Sequence, residues 1–560
     1  MHFEFTNKYR ELTIWSIVFL LLLSLPVRFY FLEKYQSEIA IKKSVSISER
    51  STDILARRGK ITDRNGEILA EDIPSYEIGL EISKFSFNPD EILKISSLLN
   101  IESKRLKTRI SKQDKKYLVL KRNASIETFL KIKAQKIKGI VGYKKYTRTY
   151  PKGAPFSQIV GVVNTFDNSG IQGIELSLNS LLTGANGKKN NLKTRKNKTI
   201  KTSIENPSHG RDIRLTLDAD LQSEAYGILA ETVDEHNANS GSMVVIDPES
   251  FEILAMSNYP SFDPNDRKKI TIGTLENKAA TDLFEPGSTV KPIIMAAVLQ
   301  SDNSIENDLI NTSPGFIDYE GFITRDFKDY GTQNLSQIIS NSSNVGMIKL
   351  CDKFEAETIV NGFHKMGFGK YMNEIFISTR EGYLPPINKL SKRDKVSLCY
   401  GYGLQTTLLE LVSSYSILYS QGKSKPLSLI FDTALDEHEQ VIPVELSLKM
   451  EKMLTAVVDE GTGRRAKVKG IKISGKTGTV KKIGNLGYEE QSLNALFVGQ
   501  ASLNQKNLIV GVIIRDSQVN GSGGGDVAAP SFANFINKIR QKEGYYDCLL
   551  YTSDAADEIT

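Results

Sequence analysis

An uncharged apolar stretch, Thr13 to Val27, lies near the N-terminus, and its apolar character continues to Leu32. Together these residues approach the roughly 20 that a helix needs to cross a bilayer. We therefore predict a transmembrane helix at 12–32, so that the rest of the chain folds as an anchored protein. The alternative is a cleaved signal peptide, but no small-x-small cleavage site follows the apolar run.

The charges around this segment indicate its orientation. Lys8 and Arg10 precede the apolar stretch, and basic residues favour the cytoplasmic end of a membrane helix. Residues 1–11 are therefore expected in the cytoplasm and everything after the helix outside it, although lysines soon after the helix weaken the asymmetry. No later stretch is apolar enough to span a membrane.

Composition excludes several classes of protein. A chain of 560 residues predicts two or three domains. A net charge of +6 is a mild excess for this length and does not indicate a nucleic-acid-binding protein. Cys351, Cys399 and Cys548 form no CxxC pair, so we expect neither a zinc site nor a disulfide, and the first two are interpreted as small core residues. The histidines lack metal-ligand spacing, so neither a metal nor an organic cofactor is predicted.

Turn and periodicity signals divide the chain. The residues 63–66, Asp-Arg-Asn-Gly, lie between extended runs and predict a hairpin. Residues 90–140 have the spacing of short amphipathic helices. The polar, basic segment 185–210 has almost no core residues, so it is interpreted as a loop or a solvated hairpin with a domain boundary near Gly210.

Beyond that boundary the pattern predicts an α+β domain. Two apolar runs flank the turn at Asp247 to Ser250, and three more strand-like runs lie near the C-terminus. The stretch from Ser288 to Asp459 between them is mostly helical. Strands from both ends of a domain, with helices in the middle, indicate a sheet that joins distant segments.

The segment Phe284 to Pro292, FEPGSTVKP, places a serine at the start of a predicted helix. Ser288 and Lys291 are three residues apart, so they share a helix face, and Pro292 is tolerated in the first turn. The free N–H groups of a helix start can stabilise a negatively charged intermediate. A lysine shielded from water can act as a base. Alone, this S-x-x-K pattern is weak, since an N-cap serine gives the same pattern.

Two later patterns strengthen the chemical interpretation. The segment 342–344 reads Ser-Ser-Asn, and the predicted strand containing 476–479 reads Lys-Thr-Gly-Thr. S-x-x-K, then S-x-N, then K-T-G, in this order, is the motif set of penicillin-binding proteins and serine β-lactamases. Each motif is common singly, whereas the ordered set is not.

The chain thereby resembles the class B penicillin-binding proteins, and most closely their division-specific, FtsI-like branch. The resemblance covers roughly residues 12 to 540. It rests on the three motifs and on the segments RRGKITDRNGEILA, YPKGAPFSQIVGVV, GIQGIE, TLDADLQ, NKAATDLFEPGSTVKP, YGYGLQTT and DEGTG. It implies a pedestal domain followed by a transpeptidase domain of the penicillin-recognising fold, a sheet flanked by helices.

The resemblance also implies roles for the first two motifs. Ser288 would attack the D-Ala-D-Ala carbonyl of a peptidoglycan stem peptide, and Lys291 would take its proton. Ser342 would pass a proton to the leaving D-alanine. Asn344 would bind the substrate amide and orient Lys291. An amine on a neighbouring strand would then attack the acyl-enzyme and form the cross-link.

For the third motif the resemblance implies substrate binding. Lys476 would add positive charge, and Thr477 and Thr479 would hold the terminal carboxylate, with Gly478 allowing close backbone approach. The backbone N–H groups of Ser288 and Thr479 would form the oxyanion hole. β-Lactams, which mimic D-Ala-D-Ala, would acylate the serine. No cofactor is implied.

The expected organisation and setting follow from the same resemblance. We expect the catalytic domain in the periplasm of a bacterium, anchored in the inner membrane at the division septum, with an FtsW-like glycosyltransferase and other division proteins as partners. The expected segments are a cytoplasmic N-terminus at 1–11, a transmembrane helix at 12–32, a pedestal of the dimerisation type at 33–210, a transpeptidase domain at 211–545 and a non-native tail at 546–560.

Two other functions remain open from the sequence. A serine β-lactamase would need a base for the deacylating water, usually a glutamate between the second and third motifs, and no convincing one is found. A non-catalytic β-lactam sensor or division scaffold is the other, and the intact Ser288, Lys291 and Lys476 argue against it. The glycine-rich segment Asn520 to Phe532 lacks the lysine of a phosphate loop and predicts a flexible turn before the last helix.

Overall fold

The structure, a computed structural model, describes the following residues: 2–36, 49–112, 116–193, 199–370, 378–431, 438–484, 487–503, 506–517 and 523–542. The chain divides into two compact units, 1–58 with 183–210, and 59–182 with 211–560. The predicted tail at 546–560, and Cys548 with it, lie outside the described residues.

The first unit contains the N-terminal helix and a small sheet. The helix His2–Phe31 includes the predicted apolar segment, and Lys8–Lys34 is long and apolar enough to cross a membrane. Within the described residues it is the single helix with that property. The sheet is antiparallel, with Gly187–Lys193 between Glu49–Ile54 and Thr199–Glu205. The polar segment 185–210 is therefore a solvated hairpin, one of the two forms expected for it.

The second unit begins with a mixed sheet. The predicted hairpin at 63–66 is confirmed, since Ile61–Thr62 pairs with Ile68–Glu81 and Gly66 has a φ of 88°. The remaining strands of this sheet are Tyr117–Ala124, Ile140–Thr149 and Ile213–Arg214. The helices in 59–182 are Pro89–Leu99, Ser103–Ser111, Ile126–Ala134, Ser157–Val160, Gly173–Ser177 and Asn179–Leu182. The first three confirm the helices expected from the spacing of 90–140.

A buried ion cluster lies at the end of this region. The Arg148 guanidinium donates to Glu175 at 2.7 Å and lies 3.5 Å from Asp72. All three side chains are at most 2% exposed. Burying a charge is costly unless it is paired, so each member of this cluster requires the others.

Replacing Arg148 with methionine should therefore destabilise the second unit strongly. The substitution leaves two buried carboxylates without their cation, and removal of one partner of a buried pair costs about 3–5 kcal/mol. Urea unfolding of the full chain in detergent measures the loss. Arg122→Met is the matched control, because Arg122 forms an exposed pair with Glu77 and should cost under about 1 kcal/mol. Equal losses in the two variants would contradict the prediction.

Another five-stranded sheet joins strands from both ends of the region 211–545, and this confirms the α+β prediction. Its order is Ile253–Tyr259, Ser240–Ile246, Lys506–Ser517, Gly487–Leu503 and Lys472–Gly484, all antiparallel. The predicted hairpin at 247–250 joins the first two strands. Lys472–Gly484, which carries the third motif, lies at the edge of this sheet, so one side of it is free of strand partners within the described residues.

Helices cover both faces of this sheet. Alternate strand residues such as Val244 and Val245 enter different cores, as the period of two requires. Ala219–Glu235 and Ala528–Lys542 cover one face. The helices that follow Glu235 and precede the last three strands are Ile272–Leu275, Lys278–Thr281, Lys291–Ser301, Leu335–Ser340, Asn344–Cys351, Ala356–Lys365, Lys392–Leu398, Leu408–Tyr419 and Val444–Asp459. Lys291–Ser301 is buried along almost its whole length, so it forms the centre of the other core.

The expectation that the cysteines form no disulfide is wrong. Cys351 and Cys399 are bonded to each other. Both are buried, as predicted. Cys351 is the last residue of the helix Asn344–Cys351, and Cys399 directly follows the helix Lys392–Leu398. The two helices pack side by side. Tertiary packing therefore brings together two cysteines whose sequence separation of 48 residues carries no disulfide pattern.

Candidate active site

Ser288 lies in a tight turn that leads into the buried helix. Gly287–Val290 form a 3-10 turn, and the helix proper is Lys291–Ser301, so it begins after Ser288. Gly287 has a φ of 54°, which suits glycine and starts the turn. No side chain caps the helix, so Ser288 is not an N-cap. Its side chain is half-buried, and its hydroxyl has no hydrogen bond to any other described residue.

Two backbones pack directly against this turn. The Gly287 N–H donates to the Gly401 carbonyl at 3.1 Å. A Cβ built on Gly401 would lie 2.0 Å from the Gly287 carbonyl oxygen. On the other side, a Cβ built on Gly478 would lie 2.8 Å from Thr289 Cγ2 and 3.1 Å from the Pro286 carbonyl oxygen. The close approach expected of Gly478 is therefore present, and it places the third motif against the Ser288 turn.

Gly401→Ala should disturb the position of Ser288. The new Cβ cannot fit without moving the Gly287 backbone, and a displacement of about 1 Å at a reacting group can slow chemistry up to about 100-fold. Gly403→Ala is the matched control, because Gly403 also has a positive φ but its nearest contact would be 3.9 Å away. The rate of acylation by a penicillin is the measurement. A similar rate in both variants would contradict the prediction.

The amine of Lys291 reaches the second motif. Lys291 is fully buried, and its Nζ donates to Asn344 Oδ1 at 2.7 Å and to the Ser342 carbonyl oxygen at 2.6 Å. It is also 3.4 Å from Ser342 Oγ. The first and second motifs are thus in direct contact, as the roles expected for Lys291 and Asn344 require.

Lys476 approaches the same hydroxyl from the edge strand. Its Nζ donates to Ser342 Oγ at 2.9 Å and to the Thr477 carbonyl oxygen at 3.1 Å, and its side chain is fully buried. Ser342 Oγ therefore lies between two lysines. Ser342 itself has a φ of 59°, a left-handed conformation that is uncommon for a residue with a side chain.

Burial dominates the electrostatics of the two lysines. Burial lowers the pKa of Lys291 to about 7, against an opposing effect of the Asp326 carboxylate. Burial, and then the nearby charge of Lys291, lower the pKa of Lys476 well below its ordinary value. Two buried ammonium groups beside one hydroxyl repel each other, so a neutral amine is available near pH 7. A neutral lysine can accept a proton.

The two threonines of the third motif contact loops that the sequence did not single out. Thr477 Oγ1 lies 2.7 Å from Thr462 Oγ1. Thr479 is exposed, and its Oγ1 accepts the Gly524 N–H at 2.9 Å. The glycine-rich segment does precede the last helix, as expected, but its described part, from Gly523 onwards, packs against the edge strand. A Cβ on Gly524 would lie 2.3 Å from the Gly478 carbonyl oxygen.

Sequence reasoning missed three residues of this site. Thr462 belongs to the DEGTG segment that supported the resemblance, but no role was assigned to it. Gly524 lies in the segment interpreted as a flexible turn. Asp326 carries no pattern at all, yet its carboxylate contacts the S-x-N segment. A lone carboxylate gives no signal in a single sequence.

The arrangement suits acyl transfer. An unbonded serine hydroxyl lies at the start of a buried helix, a lysine of lowered pKa lies one turn later, and a second hydroxyl lies between two amines. Among the described residues no group of His, Cys, Asp and Glu could hold a metal ion. The side chains of the three motifs offer a hydroxyl, an amine of lowered pKa and a second hydroxyl for such a reaction.

Comparison with known proteins agrees with this fold. Residues 241–537 match the penicillin binding protein transpeptidase domain, and residues 53–215 match the penicillin-binding protein dimerisation domain. These two matches define a penicillin-binding protein with a dimerisation domain before its transpeptidase domain.

Relatives identify the branch. The chain is 34% identical over 541 residues to the peptidoglycan D,D-transpeptidase FtsI of Buchnera aphidicola subsp. Schizaphis graminum, covering 95% of this chain and 94% of the relative. It is 30% identical to FtsI of Escherichia coli K12, covering 94% and 90%. It is 32% identical to the probable peptidoglycan D,D-transpeptidase PbpC of Pseudomonas aeruginosa, covering 95% and 94%. The chain belongs to the class B penicillin-binding proteins of the FtsI type.

Solved structures share the fold. The crystal structure of penicillin binding protein 3 from Mycobacterium tuberculosis, complexed with aztreonam, has a TM-score of 0.68 at 24% identity, and the match covers 88% of this chain and 97% of that chain. The apolar N-terminal helix and the FtsI relatives fit a single-pass protein of the inner membrane.

Proposed function

We propose that this chain is a peptidoglycan D,D-transpeptidase that works through an acyl-Ser288 intermediate in septal cell-wall synthesis. The observation that carries the proposal is the convergence of Lys291 and Lys476 on the Ser342 hydroxyl, beside the Ser288 turn. This gives a nucleophile, a base of lowered pKa and a proton carrier in one place. The names of the FtsI relatives support the substrate and the septal role.

In the first half-reaction the amide between the two D-alanines is cleaved. Ser288 Oγ attacks the carbonyl carbon while neutral Lys291 takes the hydroxyl proton. The tetrahedral intermediate collapses, the C–N bond breaks, and Ser342 passes a proton to the departing D-alanine amine. Asn344 binds the substrate amide and keeps Lys291 oriented through their 2.7 Å hydrogen bond.

In the second half-reaction an amine of a neighbouring strand attacks the ester, forms the cross-linking amide and releases Ser288. Both tetrahedral intermediates carry an oxyanion, which the backbone N–H groups of Ser288 and Thr479 would stabilise. The packing of the Ser288 turn against the edge strand supports this pairing, since a Cβ on Gly287 would lie 3.6 Å from the Thr479 carbonyl oxygen.

The substrate carboxylate would bind Thr477 and Thr479, with Lys476 as its counter-charge. Burial disfavours the charged form of Lys476 in the free protein. A carboxylate within about 4–6 Å favours the charged form, so substrate binding would restore the ammonium. Substrate recognition and the charge state of the site are thereby coupled.

Benzylpenicillin tests the proposal directly. The full chain in detergent is incubated with the drug and analysed by intact mass spectrometry, and the adduct is then located by digestion with trypsin. Residues 279–325 should form one peptide carrying the adduct, because Lys291 is followed by proline. A stable adduct on Ser288 is expected. A separate sample without the drug should release D-alanine from a D-Ala-D-Ala stem peptide and form an amide with an added amine.

The other outcomes separate the alternatives. An adduct that forms and clears quickly would indicate a β-lactamase. A stable adduct with no cross-linked product from any stem peptide would indicate a sensor or scaffold. No adduct on folded protein would remove Ser288 as an activated nucleophile.

The setting of the reaction is part of the same proposal. The catalytic domain, expected at 211–545, would lie in the periplasm, and the pedestal at 33–210 would precede it in the chain. An FtsW-like glycosyltransferase and other division proteins are proposed as partners. To test the location, a fluorescent fusion of the full chain is imaged in dividing cells beside a fusion that lacks the membrane helix. Fluorescence at midcell is expected for the full chain and not for the fusion without the helix.

A further inference from the structure

Asp326 lies outside the three motifs, yet both of its carboxylate oxygens bind the S-x-N segment. Oδ2 accepts the Ser343 hydroxyl at 2.6 Å. Oδ1 accepts the backbone N–H of Asn344 at 2.5 Å and that of Val345 at 3.0 Å. These N–H groups open the helix Asn344–Cys351, where a carboxylate satisfies donors that have no partner within the helix.

The segment that Asp326 holds is in a strained conformation. Ser342 has its left-handed backbone immediately before Ser343. Ser343 in turn caps the helix, since its hydroxyl accepts the Gly346 N–H at 2.9 Å while donating to Asp326. A strained residue persists only where its surroundings determine its conformation. The hydrogen bonds of Asp326 therefore help to keep Ser342 between Lys291 and Lys476.

The residue before Asp326 orients the amide of Asn344. Asn344 Nδ2 donates to the Arg325 carbonyl oxygen at 3.1 Å. This leaves Asn344 Oδ1 as the acceptor for Lys291. The two consecutive residues therefore fix both the backbone and the side-chain orientation of Asn344.

Asp326 also acts on Lys291 through its charge. Its carboxylate raises the pKa of Lys291 against the effect of burial. The other groups that the structure associates with this pair are Lys476, a second buried amine whose own pKa is lowered by Lys291, and Tyr330, whose pKa is raised by burial and by Asp326. Within the described residues Asp326 supplies the negative charge that acts on Lys291.

We propose that Asp326 is a positioning residue of the acyl-transfer reaction, which holds Ser342 and Asn344 against Lys291 and places a negative charge at the segment that contacts that lysine. This inference rests on the function proposed above. It assigns to Asp326 a role that is exerted through the second motif and the base.

The pH dependence of acylation tests this role. The second-order rate of acylation by a fluorescent penicillin is measured from pH 5 to 9 for the full chain in detergent. In Asp326→Asn the rate at pH 8 should fall about 10- to 100-fold. The acidic limb of the pH profile, in which the rate rises with pH as Lys291 loses its proton, should shift to lower pH by about one unit. Loss of a nearby anion makes Lys291 easier to deprotonate.

Three further variants separate charge from packing. Asp326→Glu keeps the charge, so its acidic limb should stay at the wild-type pH. Ser343→Ala keeps the carboxylate and should lower the rate without moving the limb. Asp329→Asn is the matched control, since Asp329 binds Ser313 and Gly331 instead, and it should behave as wild type.

Each outcome has a definite meaning. A wild-type rate and limb in Asp326→Asn would overturn the inference. A lower rate with an unmoved limb would also overturn it, because Asp326 would then be structural only. If Asp326→Asn does not fold, a limb displaced in Asp326→Glu would overturn it. If the wild-type protein itself is not acylated at Ser288, the proposed function fails instead.

Discussion

Ser288→Ala is expected to abolish acylation by benzylpenicillin, with no adduct detectable by intact mass after hours of incubation. The acyl-enzyme needs an oxygen nucleophile, and alanine offers none. The Ser288 hydroxyl has no hydrogen bond to another described residue, and the side chain is only half-buried. The fold should therefore be retained, so that the loss is chemical.

A serine elsewhere on the same helix provides the control. Ser301 is the last residue of Lys291–Ser301 and is exposed. Ser301→Ala should be acylated at the wild-type rate. Thermal unfolding should show both alanine variants within a few degrees of the wild type. A persistent adduct on Ser288→Ala would require a different nucleophile and would contradict the site described here.

Lys291→Met is expected to slow acylation by about 10²–10⁴-fold, the usual contribution of a positioned general base. Methionine is a similar length and suits a fully buried position. It removes the proton acceptor and the two hydrogen bonds to the second motif. It also removes the charge of Lys291, which lowers the pKa of Lys476.

The pH profile of the acylation rate distinguishes loss of the general base from a structural disturbance of the site. Lys291 must be neutral to accept a proton, and burial lowers its pKa to about 7. The wild-type rate should therefore rise with pH through about 7 and then level off. In Lys291→Met that limb should disappear. Lys452→Met, an exposed lysine on Val444–Asp459, should keep both rate and limb.

A rate in Lys291→Met close to that of the wild type would show that another group takes the proton. Lys476 would then be the candidate, because it also donates to Ser342. An acidic limb retained in the slow variant would point the same way. The two lysines can thus be separated by rate and by pH dependence together.

Much of the fold follows from local patterns. The apolar N-terminal helix, the hairpins at 63–66 and 247–250, and the late strands are all set by periodicity and turn residues close in sequence. The convergence of the three motifs was expected from their order. The roles assigned to their residues stay predictions, which the contacts of Lys291 and Lys476 support.

What the sequence did not indicate depends on tertiary packing. The disulfide between Cys351 and Cys399 forms because two helices lie side by side. Asp326 and Thr462 are single residues without a spacing pattern. Gly524 lies in a segment predicted as a flexible turn, because the sequence does not show that this segment packs against the edge strand.

The second unit is discontinuous in sequence, and this affects how it can be made. The backbone N–H of Lys60 donates to the Asp212 carboxylate beside the paired strands Ile61–Thr62 and Ile213–Arg214, and the two residues are separated by 152 residues. Ribosomes add about 5–20 residues per second, so about 8–30 s pass before the later strand exists. Meanwhile Ile61, Leu69 and Phe156 lack the partners in their core that come from helices after residue 212. A core built from such distant segments leaves apolar surface exposed until the second half of the chain has been synthesised.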